Sequence, residues 1–169
     1  MTIEHIEIPV LLNQLESSIF EVMEQRKVHN PIFIGIHTGG VWVAEKLHRW
    51  LKIEEPLALL DISFYRDDFS QIGVNPKVKQ SKVPLTLEGR DIILIDDVFY
   101  TGRTIRAALN EIFDYGRPRQ VILGVLIERN GREVPIRPDC IGAEINLAKG
   151  QRIKLTGPEP LDVDIQSVP

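Results

Sequence analysis

Apolar residues recur along the chain in two rhythms. From Leu11 to Arg26, the residues Leu12, Leu15, Ile19, Val22 and Met23 return at three- and four-residue steps. That spacing predicts an amphipathic helix, which Asn30-Pro31 stops. Pro31 to Ile36 is a short apolar strand, and after His37-Thr38-Gly39-Gly40 the helical spacing resumes on Val43, Ala44, Leu47 and Leu51. Leu57 to Ile62, Ile92 to Ile95 and Gln120 to Ile127 predict further strands. Ile92-Ile93-Leu94-Ile95 leaves no face for water, so both sides of this strand are expected to be covered, as in a parallel sheet flanked by helices. Ile105, Ala108, Leu109, Ile112 and Phe113 predict a helix from Thr104 that ends at Tyr115-Gly116, with Pro118 just beyond. Strand, turn and helix thus repeat, and the expected fold is α/β: a mostly parallel twisted sheet flanked by helices. From Thr156 onward, Pro158, Pro160 and Pro169 predict irregular or edge structure.

Composition bounds this picture without redirecting it. A length of 169 residues, 43% hydrophobic and 26% charged, suits one globular domain spanning 1–169. A net charge of −4 gives no broad attraction to nucleic acid or membrane, leaving room only for a local basic face. The start lacks the basic and apolar segments of a secretory signal, and no apolar run approaches the roughly 18 residues of a spanning helix. With Cys140 the single cysteine, a cytoplasmic protein without a membrane segment is expected.

The candidate chemistry begins where the Ile92–Ile95 run ends. Asp96 and Asp97 come first, then Thr101, Gly102 and Thr104, then the helix. Backbone N–H groups, the helix dipole and threonine hydroxyls in such a turn favour an anion, and phosphate fits best. Asp96 and Asp97 would point to opposite faces of a straight strand, so acting together requires the chain to turn there. Turned, they suit the vicinal hydroxyls of a sugar whose phosphate lies on the loop. A bare helix cap with solvated acids would leave most of the thirteen-residue pattern unused, and neither GxxxxGK[ST] nor a helix-opening GxGxxG occurs. The turn at His37–Gly40 could lie beside this one at the carboxyl edge of the sheet. From Arg66 to about Leu87 regular signals are few; Gly73, Pro76, Pro84, Lys77, Lys79 and Lys82 suggest a lid. After Ile127, Arg129, Arg132 and Arg137 stand in a turn-rich segment that could cover a ligand.

Residues 92–104, IILIDDVFYTGRT, resemble the signature of type I phosphoribosyltransferases that binds 5-phosphoribosyl-1-pyrophosphate (PRPP). GIHTGG at 35–40, LDISFYRDD at 60–68, YGRPRQ at 115–120 and IERNGREVPIRPDCIG at 127–142 are similar to one branch, the PyrR family of pyrimidine-operon regulators with uracil phosphoribosyltransferase activity. The resemblance covers roughly residues 10–155. It implies that Asp96, Asp97, Val98, Tyr100, Thr101, Gly102, Arg103 and Thr104 hold the ribose and its 5′-phosphate, the two acids taking the ribose. His37, Thr38 and Gly39 would receive pyrophosphate. Asp97 and Arg66 would be catalytic, Arg66 as a cation near the leaving group. Residues of about 66–84 would form a flexible loop, and those of about 128–150 a small hood over the carboxyl edge. Mg²⁺ would arrive with PRPP rather than in a cage held by protein alone.

The implied partners are PRPP, uracil and UMP, in a homodimer or a higher assembly of dimers. One departure stands out: the family pattern GIKTRG has a basic residue after the threonine, and this chain has Gly39. A second reading, of another class, is an RNA-binding attenuator or nucleotide sensor with little turnover. Its partner would be an mRNA leader, met by a basic face of Arg117, Arg119, Arg129, Arg132 and Arg137.

Overall fold

A computed structural model describes residues 6–63, 81–84 and 86–168. Arg66, Lys77, Lys79 and most of the expected 66–84 loop lie outside the described residues. Helix α1 spans Ile8–Gln25, strand β1 Ile32–Ile36, helix α2 Gly39–Trp50 and strand β2 Ala58–Leu60. Strand β3 spans Asp91–Phe99, helix α3 Arg103–Asp114, and strands β4 to β7 Gln120–Arg129, Cys140–Ile145, Gln151–Thr156 and Asp162–Ser167. Five strands pair in the order β2-β1-β3-β4-β5, every pair parallel, while β6 and β7 form an antiparallel hairpin. The expected parallel sheet flanked by helices is what forms.

The aliphatic runs explain the layering. Ile92, Ile93, Leu94 and Ile95 are all fully buried, because helices cover both faces of β3. On one face Ile93 and Ile95 join Leu11, Leu15 and Ile19 of α1 and Val43, Ala44 and Leu47 of α2. On the other, Ile92 and Leu94 join Ile105, Ala108 and Ile112 of α3. Two apolar layers are thereby removed from water, the dominant favourable term in folding. Helix α1 begins three residues before the predicted Leu11, because Pro9 falls in the first helical turn, where a missing N–H costs nothing.

Two expectations change. Strand β3 does not end at Ile95 but runs on through the acids to Phe99. The stretch 128–150, expected as a hood, contains β5, the edge strand of the main sheet. Beyond Thr156 the expected edge structure forms as β7, paired with β6 alone, whose Val163 and Ile165 pack against the α1/α2 face together with Ile153 and Leu155 of β6. Alternating apolar positions in QRIKLT and DVDIQS give each strand of this hairpin one buried side.

Candidate active site

Strand order reverses between β1 and β3, and in open α/β sheets ligands bind in the crevice beyond the carboxyl ends of the strands at such a point. Both candidate turns meet there. The register Gly35–Ile95 brings His37–Gly40 level with the acidic pair. The His37 N–H donates to the Leu60 carbonyl at 2.9 Å, and the His37–Thr38 peptide is cis. The first turn of α2 lies directly on β3: a Cβ added at Gly40 would stand 2.7 Å from the Ile95 carbonyl oxygen and 3.0 Å from Asp96 Cα. At Gly39 the added atom would stand 2.6 Å from Asp97 Cγ. Only residues without a side chain permit this approach.

Although the strand continues, its facing slips at the acids. Ile93 and Ile95 belong to the α1/α2 layer, and strict alternation would put Phe99 there as well; instead Val98 packs on that layer and Phe99 on the α3 layer. A register with Asp96 opposite Val125 and Val98 opposite Ile127 spans the slip. Asp96 is only 3% exposed, and its Oδ1 accepts the Asp97 N–H at 2.9 Å. Asp97 is half-buried against α2. Two neighbouring carboxylates thus lie beside the first turn of α2 without the sharp turn the sequence suggested.

Beyond Phe99 the chain enters α3 through Tyr100-Thr101-Gly102. Gly102 has φ of 90°, and the Arg103 N–H donates to Thr101 Oγ1 at 3.2 Å. The first turn of α3 has neither an acid nor a side-chain cap, so its backbone donors and dipole remain available to an anion. The segment after β4 braces this loop, since the Glu133 and Val134 N–H groups donate to the Thr101 carbonyl at 3.0 and 3.3 Å. Glu133 also pairs with the Arg103 guanidinium at 2.9 Å, so that side chain is held toward the brace. Backbone N–H groups and the hydroxyls of Thr101 and Thr104 are therefore the polar groups this turn presents.

Tyr100, 45% exposed, lies beneath the Arg129 guanidinium, whose Nη1 donates to the Gln151 carbonyl at 3.2 Å. The Asn130 side chain accepts from the Leu147 N–H at 2.9 Å and donates to the Leu147 carbonyl at 3.2 Å. Trp42 of α2 packs where Gly157 passes, and Lys46 pairs with Glu159 at 2.7 Å, holding the carboxyl of Glu159 below its ordinary range. The β6–β7 hairpin thus covers α2 beside the crevice. Trp42, Asn130, Glu133 and Gln151 are not singled out by the sequence reading above; the alternation of Ile153, Leu155, Val163 and Ile165 is the signal that could have shown the hairpin.

The five later arginines are spread along β4 and the connection that follows it. Arg117 and Arg119 precede β4 and Arg129 ends it, a ten-residue strand about 30 Å long at roughly 3.3 Å per residue. Arg119 pairs with Asp91 at 2.5 Å, which raises its already high pKa. Arg132 and Arg137 are exposed on the connection that runs back to Asp139, whose N–H donates to the Leu123 carbonyl. Among the described residues no three His, Cys, Asp or Glu side chains cluster as metal ligands, and no helix is long and apolar enough to cross a membrane.

Comparison with known proteins places the chain in a family. The phosphoribosyl transferase domain profile matches residues 6–153. The bifunctional protein PyrR of Nitrosococcus oceani is 50% identical over 163 residues, 95% of this chain and 92% of that protein. That of Pseudomonas fluorescens is 51% identical over 158 residues, 94% of each chain. A hypoxanthine-guanine phosphoribosyltransferase from Bacillus anthracis shares the fold at 18% identity with a TM-score of 0.66, covering 88% of this chain and 85% of that one. The chain belongs to the phosphoribosyl transferase domain family and, within it, to the PyrR family.

Proposed function

We propose that this phosphoribosyltransferase uses uracil as acceptor, converting uracil and PRPP to UMP and pyrophosphate. A bond forms between uracil N1 and the ribose C1′, the C1′–oxygen bond to pyrophosphate breaks with its electron pair leaving on that oxygen, and the N1 proton is released. The observation that carries the reading is the meeting of the acidic pair, His37–Gly40 and the N-terminal turn of α3 at the β1/β3 reversal. Uracil as the base rests on the four PyrR-like segments and on the PyrR relatives.

Each group has a task in this reading. Asp96 and Asp97 accept hydrogen bonds from the ribose hydroxyls and orient C1′ toward the base. The Tyr100–Thr104 loop takes the 5′-phosphate on its N–H groups and hydroxyls, and His37, Thr38 and Gly39 line the pyrophosphate side. Arg66, outside the described residues, is proposed as a cation for the leaving group. Arg129, stacked on Tyr100, holds the cover at the base end. Arg132 and Arg137 are solvent-exposed and are not assigned to the base. Mg²⁺ bound with PRPP supplies charge neutralisation for the departing pyrophosphate. Asp96 and Asp97 are hard oxygen donors of the type it takes, but two carboxylates leave most of its ligands to substrate oxygens and water.

UMP bound in the same crevice would then be the signal in a pyrimidine-gene regulator of the PyrR kind, acting in the cytoplasm as a dimer or an assembly of dimers. The deciding assay supplies PRPP and Mg²⁺ with uracil, guanine, hypoxanthine or orotate in parallel and follows nucleotide formation. UMP formation in clear excess over the other products is expected; a faster reaction with a purine or with orotate overturns the assignment.

A further inference from the structure

We propose that Gly39 is a positioning residue. By carrying no side chain it seats the Asp97 carboxylate on the first turn of α2, so that the pyrophosphate side of the crevice accepts pyrophosphate together with its divalent cation rather than alone. The inference rests on the phosphoribosyl-transfer reading and deepens it.

Sterics come first. A Cβ at position 39 would stand 3.1 Å from Asp97 Cβ and 2.6 Å from its Cγ, and closer still to Oδ2. Real side chains do not come this close, so something must yield. The helix cannot, because Gly40 already rests against the Ile95 carbonyl and the Asp96 backbone. The Asp97 side chain is the movable partner. Any side chain at position 39 therefore swings the Asp97 carboxylate off α2.

Charge gives the contact its consequence. The first turn of α2 contains no acid, and the N–H groups at the start of a helix carry partial positive charge. Asp97 supplies the counter-charge from the neighbouring strand. His37, Thr38, Gly39 and Gly40 include no lysine or arginine to offset it. A bare pyrophosphate entering here meets a like charge at the helix end, whereas one carrying a divalent cation meets a complementary one. The basic residue that follows the threonine in GIKTRG would need the space that Asp97 fills in this chain.

Pyrophosphate binding to the full-length protein, measured by calorimetry with Mg²⁺ and again with a chelator, tests this on the native chain, Gly39→Ala, Asp97→Asn and the double variant. The native protein is expected to bind about tenfold more tightly with the metal, and each single variant to shrink that ratio severalfold. The double variant should shrink it no further than either single one, since both act through the same carboxylate. An unchanged ratio in Asp97→Asn, or strictly additive effects, overturns the proposal. If Gly39→Ala fails to fold by circular dichroism, Asp97→Asn alone still decides. UMP formation by the native protein is assayed alongside: its absence with the metal ratio intact sinks the transferase reading and not the role of Gly39, whereas turnover with a flat ratio does the reverse.

Discussion

The guanidinium carbon of Arg129 stands 3.9 Å from the ring centroid of Tyr100, joining the end of β4 to the loop that opens α3. Arg129 Nε is buried with no hydrogen-bond partner among the described residues, so at this end the ring face is its neighbour. A stacked, partly desolvated cation of this kind is worth about 0.5–2 kcal/mol. Arg129→Lys keeps the charge but loses the planar stack. Its melting temperature should fall by about 1–8 °C, at roughly 2–4 °C per kcal/mol for a chain of this size. In steady-state kinetics KM for the base should rise more than KM for PRPP. Equal rises would detach this contact from the base end of the crevice.

Gly102 links the phosphate loop to its brace. At φ of 90° an L side chain is strained, and a Cβ there would stand 2.5 Å from Val134 Cγ2. Gly102→Ala is expected to cost about 1–2 kcal/mol for the backbone alone. The clash should also push Val134 away and loosen the bonds from the Glu133 and Val134 N–H groups to the Thr101 carbonyl. The kinetic signature would be a higher KM for PRPP with KM for the base nearly unchanged. A variant with native melting temperature and native KM would show that the loop tolerates the side chain.

Much of the site was readable because its strands are aliphatic runs and its turns hold glycine and hydroxyl residues. Ile92–Ile95 announced a strand covered on both faces, and IDDVFYTGRT announced an anion-binding turn. The end of β3 was misjudged for a physical reason: two adjacent acids look like the end of a buried strand, yet Asp96 is accommodated by accepting the Asp97 N–H and by facing α2 across Gly40. Strand β5 escaped because CIGAEI carries Gly142 and Glu144 behind Pro138-Asp139. A Cβ at Gly142 would stand 2.8 Å from the Leu11 carbonyl oxygen, so the residue that hides the strand is the one that lets α1 pack on it. The division of the arginines depends on the length of β4 in space, which spacing along the chain does not reveal.

Glu111 of α3 should make stability depend on pH. Burial raises its pKa above the ordinary 4.5; the Ser81 hydroxyl, donating at 3.0 Å, opposes this, and the charges of Asp61 and Asp114 add to it. The native state therefore holds the proton at pH values where the unfolded chain has lost it. Stability is greatest below the unfolded value and declines as pH rises through the raised folded one. Glu111→Gln keeps an oxygen for Ser81 and removes the charge. Its urea midpoint should equal or exceed that of the native protein at neutral pH, with the difference closing below about pH 4.5. A native protein more stable than the variant at neutral pH would show that the ionised carboxylate is favoured where it lies.

The two acids should separate in their effects. Asp96 is buried and satisfies the Asp97 N–H, so Asp96→Ala leaves a buried donor unpaired, a loss of about 1–3 kcal/mol. Asp97 is half-buried, and among the described residues its carboxylate accepts no backbone bond that holds β3 together, so Asp97→Ala should leave the melting temperature within about 2 °C of native. Turnover should reverse the order of severity relative to stability. If Asp97 orients the ribose, its removal should lower kcat/KM about 100-fold or more in a well-folded protein. Asp96→Ala should combine lost activity with a fall of several degrees. Thermal melts and UMP formation measured on the same preparations decide the matter: a destabilised Asp97→Ala, or a native-like melt for Asp96→Ala, would exchange the structural and ribose-orienting roles within the pair.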